Sequence, residues 1–227
     1  SYVEIVVVVA SGASARSQTD ERREDLELEY IYTEKGGQIH QRNLGIAVLL
    51  EKGSEYIAFL NDDVILLPNS LKNMCRYIAQ KKANGKGVIG VGFNITNLPS
   101  YEETSFKFLK RTLLRTGPRP GVVTKTGYNT DIVNVKKEVQ TEWLGGGYTV
   151  WSSKILQQHS QFSVDSIYSA AEDLIFSYPI GKKYPLFVCH SACLSAGHIA
   201  ERQKEITTTR YRYFKATVAR LYFCSQH

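Results

Sequence analysis

The chain has 227 residues, 43% of them hydrophobic and 22% charged, the balance of an ordinary globular chain long enough for one substantial core. No apolar run approaches the ~20 residues of a membrane span, and Tyr2 to Ala10 is too short and too Val-rich for a signal peptide, so one domain and a cytoplasmic location are expected. The four cysteines, Cys75, Cys189, Cys193 and Cys224, lack paired-motif spacing, which argues against a disulfide framework or a four-cysteine zinc site.

In chain order, Tyr2 to Val9 predicts a Val-rich strand running into Ala10-Ser11-Gly12. Gly36-Gly37 permits a sharp turn before an apolar helical pattern from Ile39 to Leu50, with Arg42-Asn43 on its first turns. Tyr56 to Leu60 is a short apolar run without helical spacing, bounded by Gly53-Ser54 and by Asn61-Asp62-Asp63, and predicts an inner strand of a covered sheet. Asn69 to Lys82 predicts a helix, with Pro68 near its start and Asn84-Gly85-Lys86-Gly87 as its stop. Val88 to Phe93 predicts a second buried strand. Residues 97–128, with Pro99, Pro118 and Pro120, form a loop-rich stretch where a lid or acceptor groove is expected. Ile132 to Glu142 suggests a strand, Ser152 to His159 and Glu172 to Tyr178 helices, and Tyr184 to Leu194 a last strand.

Net charge is +6. Basic residues gather from Lys107 to Arg119 and again from Arg210 to Arg220. The second cluster continues through Tyr222-Phe223 as an amphipathic helical pattern, which can lie on an anionic membrane surface or pack its apolar face on the sheet. No nucleic-acid motif accompanies these patches, and no nucleic-acid partner is expected.

The strongest chemical signal is the acidic end of the Tyr56 to Leu60 strand. In open α/β sheets ligands bind beyond the carboxyl ends of strands, and Mg²⁺ or Mn²⁺ prefers carboxylate oxygens supplemented by substrate phosphates. A metal bridging Asp63 and a diphosphate is one reading; the other is that Asn61, Asp62 and Asp63 only shape a turn. Arg42 stands where a guanidinium can reach a phosphate or a sugar hydroxyl. Glu142-Trp143-Leu144-Gly145-Gly146-Gly147-Tyr148 has three successive glycines between aromatics, room for a close ligand or the mark of a bulge. Glu172-Asp173 at a helix start is by itself a common cap.

Taken together, Gly36-Gly37, Arg42-Asn43-x-Gly45, Tyr56-Ile57-x-Phe59-Leu60-Asn61-Asp62-Asp63, the glycine-rich segment and Ala171-Glu172-Asp173 resemble, in that order, the family 2 glycosyltransferases. The Asn in first place is similar to the rhamnosyl- and galactofuranosyltransferase-like branches. The resemblance implies an α/β GT-A fold with a mixed, mostly parallel central sheet flanked by helices in a single domain, residues 1–98 forming the nucleotide-binding half and 99–227 the acceptor-binding half. It implies an inverting, metal-dependent transfer of a sugar from a nucleotide-diphosphate donor, a UDP- or dTDP-sugar, to a hydroxyl of a glycan or lipid-linked acceptor. Asp173 would be the catalytic base, which must lie in hydrogen-bond reach of the acceptor hydroxyl and be ionised. Asp63 and His198 would hold Mn²⁺ or Mg²⁺, with His198 preferred to His190, which is expected to be packed or hydrogen-bonded in a strand. Ala10, Ser11, Arg42, Asn61, Asp62, Gly146 and Gly147 would bind the donor, and Trp143 and Glu172 the acceptor. By spacing, the opening strand corresponds to the family's second, with Ala10 and Ser11 where acids contacting the base are usual. A nucleotidyltransferase, or a degenerate domain kept as a carbohydrate-binding or scaffold module, are the competing readings.

Overall fold

The computed structural model describes residues 3–11, 27–98, 117–159 and 172–196, with positions 113 and 224. His198 and both basic clusters, apart from isolated positions, lie outside these residues.

Strand β1 (Ile5–Ser11) pairs in parallel with β2 (Glu27–Thr33), bringing Ala10 beside Tyr32 and Ser11 beside Thr33. Helix α1 (Gln38–Glu51) follows, entered through Gly37 at φ 123°, a conformation that costs a glycine little. It lies across β1: the Gln41 amide donates to the Val9 carbonyl at 2.9 Å, and Lys52 pairs with Glu27 and, at 3.2 Å, with Glu29.

The main sheet contains β3 (Tyr56–Leu60), β4 (Val64–Leu66), β5 (Gly90–Ile95), β6 (Val139–Thr141), β7 (Tyr148–Ser152) and β8 (Leu186–Ala196). Its order is β3-β7-β5-β8-β4, with β6 pairing β8. The sheet is mixed: β5 and β8 run parallel, whereas β3 and β5 pair antiparallel with β7, and β4 and β6 antiparallel with β8. Helix α2 (Ser70–Ala83) packs Met74 and Ile78 with Val91, Phe93 and Leu194. On the other side α1, α3 (Ser153–Gln158) and α4 (Glu172–Lys183) bring Ile46, Ile155, Leu174, Phe176 and Ile180 against Ile57, Phe59 and Trp151. The period of two explains β5: Val91 and Phe93 face α2, while Gly90 and Gly92 leave room for Trp151 and Leu144.

Four expectations need correction. Among the described residues β3 is the edge of the main sheet, with Ala58 exposed and Leu60 42% exposed, because a short apolar run does not distinguish a strand covered on both sides from one covered on alternate residues. The Gly-rich segment runs straight into β7, the strand that joins β3 to β5, which periodicity did not reveal. The strand expected over Ile132 to Glu142 is confined to Val139–Thr141. Asn134 has φ 50°, and the buried Asn94 amide takes over the neighbouring backbone, accepting from Val135 N–H at 2.9 Å and donating to its carbonyl at 3.0 Å. Last, His190 lies in β8 with its carbonyl accepting from the Asn94 amide at 3.1 Å, but its side chain is exposed and not packed. The β5–β8 register jumps from Phe93–Cys189 to Asn94–Cys193, and this bulge throws the intervening residues out of the ladder.

Helix α4 runs on to Lys183 through Pro179. The proline removes one backbone donor, but Leu174, Ile175, Phe176, Ser177 and Ile180 are all buried and hold the helix to the core.

Candidate active site

Four segments converge beyond the carboxyl end of β3. The backbone ties them: Asn61 N–H donates to the Gly147 carbonyl at 2.9 Å, which lays the glycine-rich segment along the end of β3. Ser177 of α4 donates to the Leu144 carbonyl at 3.0 Å and accepts from Leu144 N–H at 2.9 Å, fixing α4 against the same segment.

At this junction the Arg42 guanidinium donates through Nη1 to Asp173 Oδ1 at 3.1 Å, its side chain 11% exposed against 34% for Asp173. Nη2 points at Asn61 Oδ1, 3.5 Å away. Glycine is required here by space: a Cβ on Gly146 would overlap Asp173 Oδ1 and Arg42 Nη1, and one on Gly147 would overlap the Asn61 amide. The small pocket between these groups is lined by Arg42, Gly145, Gly146, Glu172 and Asp173, on a floor that includes Phe59 and Trp151. Trp151 is itself held edge-on to Phe176, ring centres 5.0 Å apart.

Glu172 and Asp173 form the first turn of α4, where carboxylates meet the positive end of the helix. Burial, and then the Asp173 charge beside it, push the Glu172 carboxyl up to about 7, against the opposing pull of Arg42. Burial, followed by the charges of Asp173 and Asp131, also raises the Tyr148 phenol.

The sign of the Glu172 shift gives a test. A carboxyl with a raised folded-state pKa binds its proton more tightly folded than unfolded, so its contribution favours folding at acid pH and is lost as pH rises from the unfolded value to about 7. Glu172→Gln is therefore expected to stabilise the protein at pH 8 by on the order of 1–3 kcal/mol and by nothing near pH 4. Thermal melts of both proteins across that range check it; a difference independent of pH would remove the buried proton from Glu172.

The structure brings together Arg42, Asn61, Gly146, Gly147, Glu172 and Asp173. Asp62 and Asp63 stand in the next turn, Asp62 exposed and Asp63 half-buried. Ala10 and Ser11 close β1; the Ser11 hydroxyl lies 3.5 Å from where a Cβ on Gly36 would stand, so they flank the entry to α1. Trp143 is not at the pocket. It is 7% exposed, and its indole N–H donates to the Thr130 carbonyl at 3.3 Å. It anchors the 117–130 segment, which is also tied down by Gly117 N–H donating to Thr130 Oγ1 and Val123 N–H donating to Glu142 Oε2. An aromatic beside glycines reads as a ligand platform in sequence, but burial decides it otherwise.

Gln38, the first residue of α1, belongs to the cluster and carried no sequence signal beyond its place after Gly36-Gly37. In one orientation its amide donates to Asn61 Oδ1 at 3.0 Å. In the other it donates to Glu172 Oε1 at 3.0 Å and accepts from Arg42 Nη2 at 2.6 Å.

For a divalent cation, Asp62 and Asp63 offer the hard oxygen donors that Mg²⁺ and Mn²⁺ take. Among the described residues no three His, Cys, Asp or Glu side chains cluster as a ready cage. Two adjacent carboxylates are donors that suit an ion sharing its shell with water and substrate oxygens, as Mg²⁺ commonly does.

Comparison with known proteins bears on this geometry. The profile of glycosyl transferase family 2 matches residues 2–132. No curated protein matches in sequence. Among solved structures, GalNAc-T7 with UDP, GalNAc and Mn²⁺ superposes with a TM-score of 0.54 at 11% identity, covering 87% of this chain and 38% of that one; this chain therefore spans well under two thirds of that protein. A197 from STIV aligns at 14% identity and TM-score 0.46, over 86% of this chain and 94% of that one. TarS residues 1–349 from S. aureus align at 13% identity and TM-score 0.49, over 99% and 73%. The fold is that of the GT-A transferases, in one domain.

Proposed function

We propose, from the premise that the chain belongs to glycosyl transferase family 2, that it transfers a sugar from a nucleotide-diphosphate donor to an acceptor hydroxyl with inversion. The observation that carries this reading is the meeting of Arg42, Gly146, Glu172 and Asp173 at one pocket beyond the end of β3, with Asn61 and Gly147 packed against each other beside it. The division of labour follows the chain. Residues 1–98 supply Arg42, Asn61 and the Asp62-Asp63 turn as the nucleotide-binding half, and residues 99–227 supply the glycines and the acidic pair as the acceptor-binding half.

Asp173 is the base: it takes the acceptor proton while the acceptor oxygen forms a bond to the anomeric carbon, and the bond from that carbon to the diphosphate breaks on the opposite face, its electron pair leaving with the nucleotide. Arg42 binds donor oxygens and offsets the charge that collects on the leaving diphosphate. Asp63, with Asp62 beside it, is the ligand for a divalent ion, manganese or magnesium, which when bound supplies further positive charge at that diphosphate. Gly146 and Gly147 let the donor sugar approach the backbone, and Glu172, protonated for part of the time near neutrality, can donate as well as accept a hydrogen bond to the acceptor. A UDP- or dTDP-sugar is the donor class, and a glycan or lipid-linked sugar the acceptor class. GalNAc-T7, a structural neighbour, was itself solved with UDP, GalNAc and Mn²⁺. No helix among the described residues is long and apolar enough to cross a membrane; peripheral contact through the basic Arg210 to Arg220 segment would suit a lipid-linked acceptor.

Calorimetric titration of UDP, dTDP and GDP with and without Mn²⁺ tests the reading. Metal-dependent binding of one nucleotide is expected; binding of none would favour a carbohydrate-binding or scaffold module. Asp63→Ala is expected to weaken nucleotide binding in Mn²⁺ by about 10-fold or more and to leave the metal-free value unchanged, as the loss of a first metal ligand should. Unchanged affinity in Mn²⁺ would take Asp63 out of the metal site.

A further inference from the structure

The two roles given to Arg42 and Asp173 conflict in the structure as it stands. A base must draw a proton from the acceptor hydroxyl, yet the Asp173 carboxylate already carries the Arg42 guanidinium against it, Nη1 to Oδ1 at 3.1 Å. Conversely, a guanidinium already paired with a carboxylate has part of its charge compensated before a diphosphate arrives. The pair is also held firmly: Arg42 is 11% exposed, and the Gly146 backbone lies so close that a Cβ there would overlap both partners.

We propose that Arg42 is a positioning residue for the base as well as a donor ligand: without donor it masks Asp173, and the arriving diphosphate draws the guanidinium away, so that the base is freed only when the donor is in place. This rests on the donor-site reading above and names the regulation of that site. The geometry provides the pivot. Gln38 accepts from Arg42 Nη2 at 2.6 Å in one amide orientation, and Asn61 Oδ1 lies 3.5 Å from the same nitrogen. The guanidinium can therefore exchange the carboxylate for phosphate oxygens while its second nitrogen stays held. Departure of the nucleotide product returns Arg42 to Asp173.

The test is a double-mutant cycle read in UDP affinity with Mn²⁺ present, using the wild type, Asp173→Asn, Arg42→Gln and the double variant. If UDP must win Arg42 from Asp173, then Asp173→Asn tightens UDP by about 3–10-fold in the wild-type background and by less than about 2-fold in the Arg42→Gln background, the size of coupling expected for residues in contact. Simple relief of charge repulsion would instead tighten UDP equally in both backgrounds, and that outcome overturns the proposal. The same cycle in thermal melts of the nucleotide-free protein should be non-additive; additive shifts overturn the masking contact whatever the nucleotide does. If the wild type binds none of UDP, dTDP or GDP, the donor reading fails and the exchange fails with it, while non-additive melts would still record the Arg42–Asp173 contact. The two failures are thus told apart.

Discussion

Asp173→Asn is expected to lower sugar transfer by about 10²–10⁴-fold, the share that a positioned general base commonly supplies. The substitution is nearly isosteric. The amide oxygen can still accept from Arg42, and the first turn of α4 keeps Glu172 at the positive helix end. What the amide cannot do is take a proton. Nucleotide binding should survive, so a loss of turnover without a loss of nucleotide affinity marks a role in the chemical step. Glu172 is the rival base, adjacent in sequence and with its carboxyl pushed up to about 7 by burial. If transfer persists in Asp173→Asn and collapses in Glu172→Gln, the base is Glu172. If both variants transfer normally, neither carboxylate is the base.

How much of this site was legible beforehand depends on the kind of signal each residue carries. Asn61 and the glycines carried a signal of their own, since polar groups end an apolar run and glycines leave room for a close ligand, whereas Asp173 was singled out by the resemblance to family 2 glycosyltransferases, an acidic pair at a helix start being by itself a common cap. Helices α1 and α2 were legible from their apolar period, with bounds within a residue or two of Gln38–Glu51 and Ser70–Ala83. Strands were less so. Strand β2, ELEYIYT, mixes charge and aromatics, and β4 has only Val64–Leu66, too short for any period to show. Strand β7 was read as part of a ligand segment because its glycines drew attention from the YTVWS run behind them. Trp143 shows the general difficulty. A buried tryptophan with a bonded N–H and a tryptophan stacked on a sugar have the same neighbours in sequence, and only packing separates them. Gln38 shows the converse: an amide has no chemistry of its own to announce, and its part follows entirely from Arg42, Asn61 and Glu172 being brought to it across the fold.

Gly146→Ala is the substitution whose cost the geometry states most directly. The added Cβ would overlap the Asp173 carboxylate and the Arg42 guanidinium, and the backbone has nowhere to retreat. Gly147 O is bound by Asn61 N–H at 2.9 Å, Leu144 is bound on both its amide and its carbonyl by Ser177, and β7 begins immediately after. Relief must therefore come from breaking the ion pair, leaving a poorly hydrated guanidinium without its carboxylate. A loss of roughly 2–4 kcal/mol is expected, the upper range of single substitutions and proper to overpacking beside a charge. For a chain of this size that is a fall in Tm of roughly 5–15 °C. Transfer should fall to the level of Asp173→Asn, since both the base and the donor cation are displaced. Gly87→Ala is the control: a Cβ there meets nothing within 4 Å, and its melting should stay within about 0.5 kcal/mol of the wild type. The comparison separates a general intolerance of added methyl groups from the specific crowding of the Arg42–Asp173 pair. If Gly146→Ala melts and transfers like the wild type, the close approach of the glycine segment to that pair is wrong, and the pocket built upon it goes too.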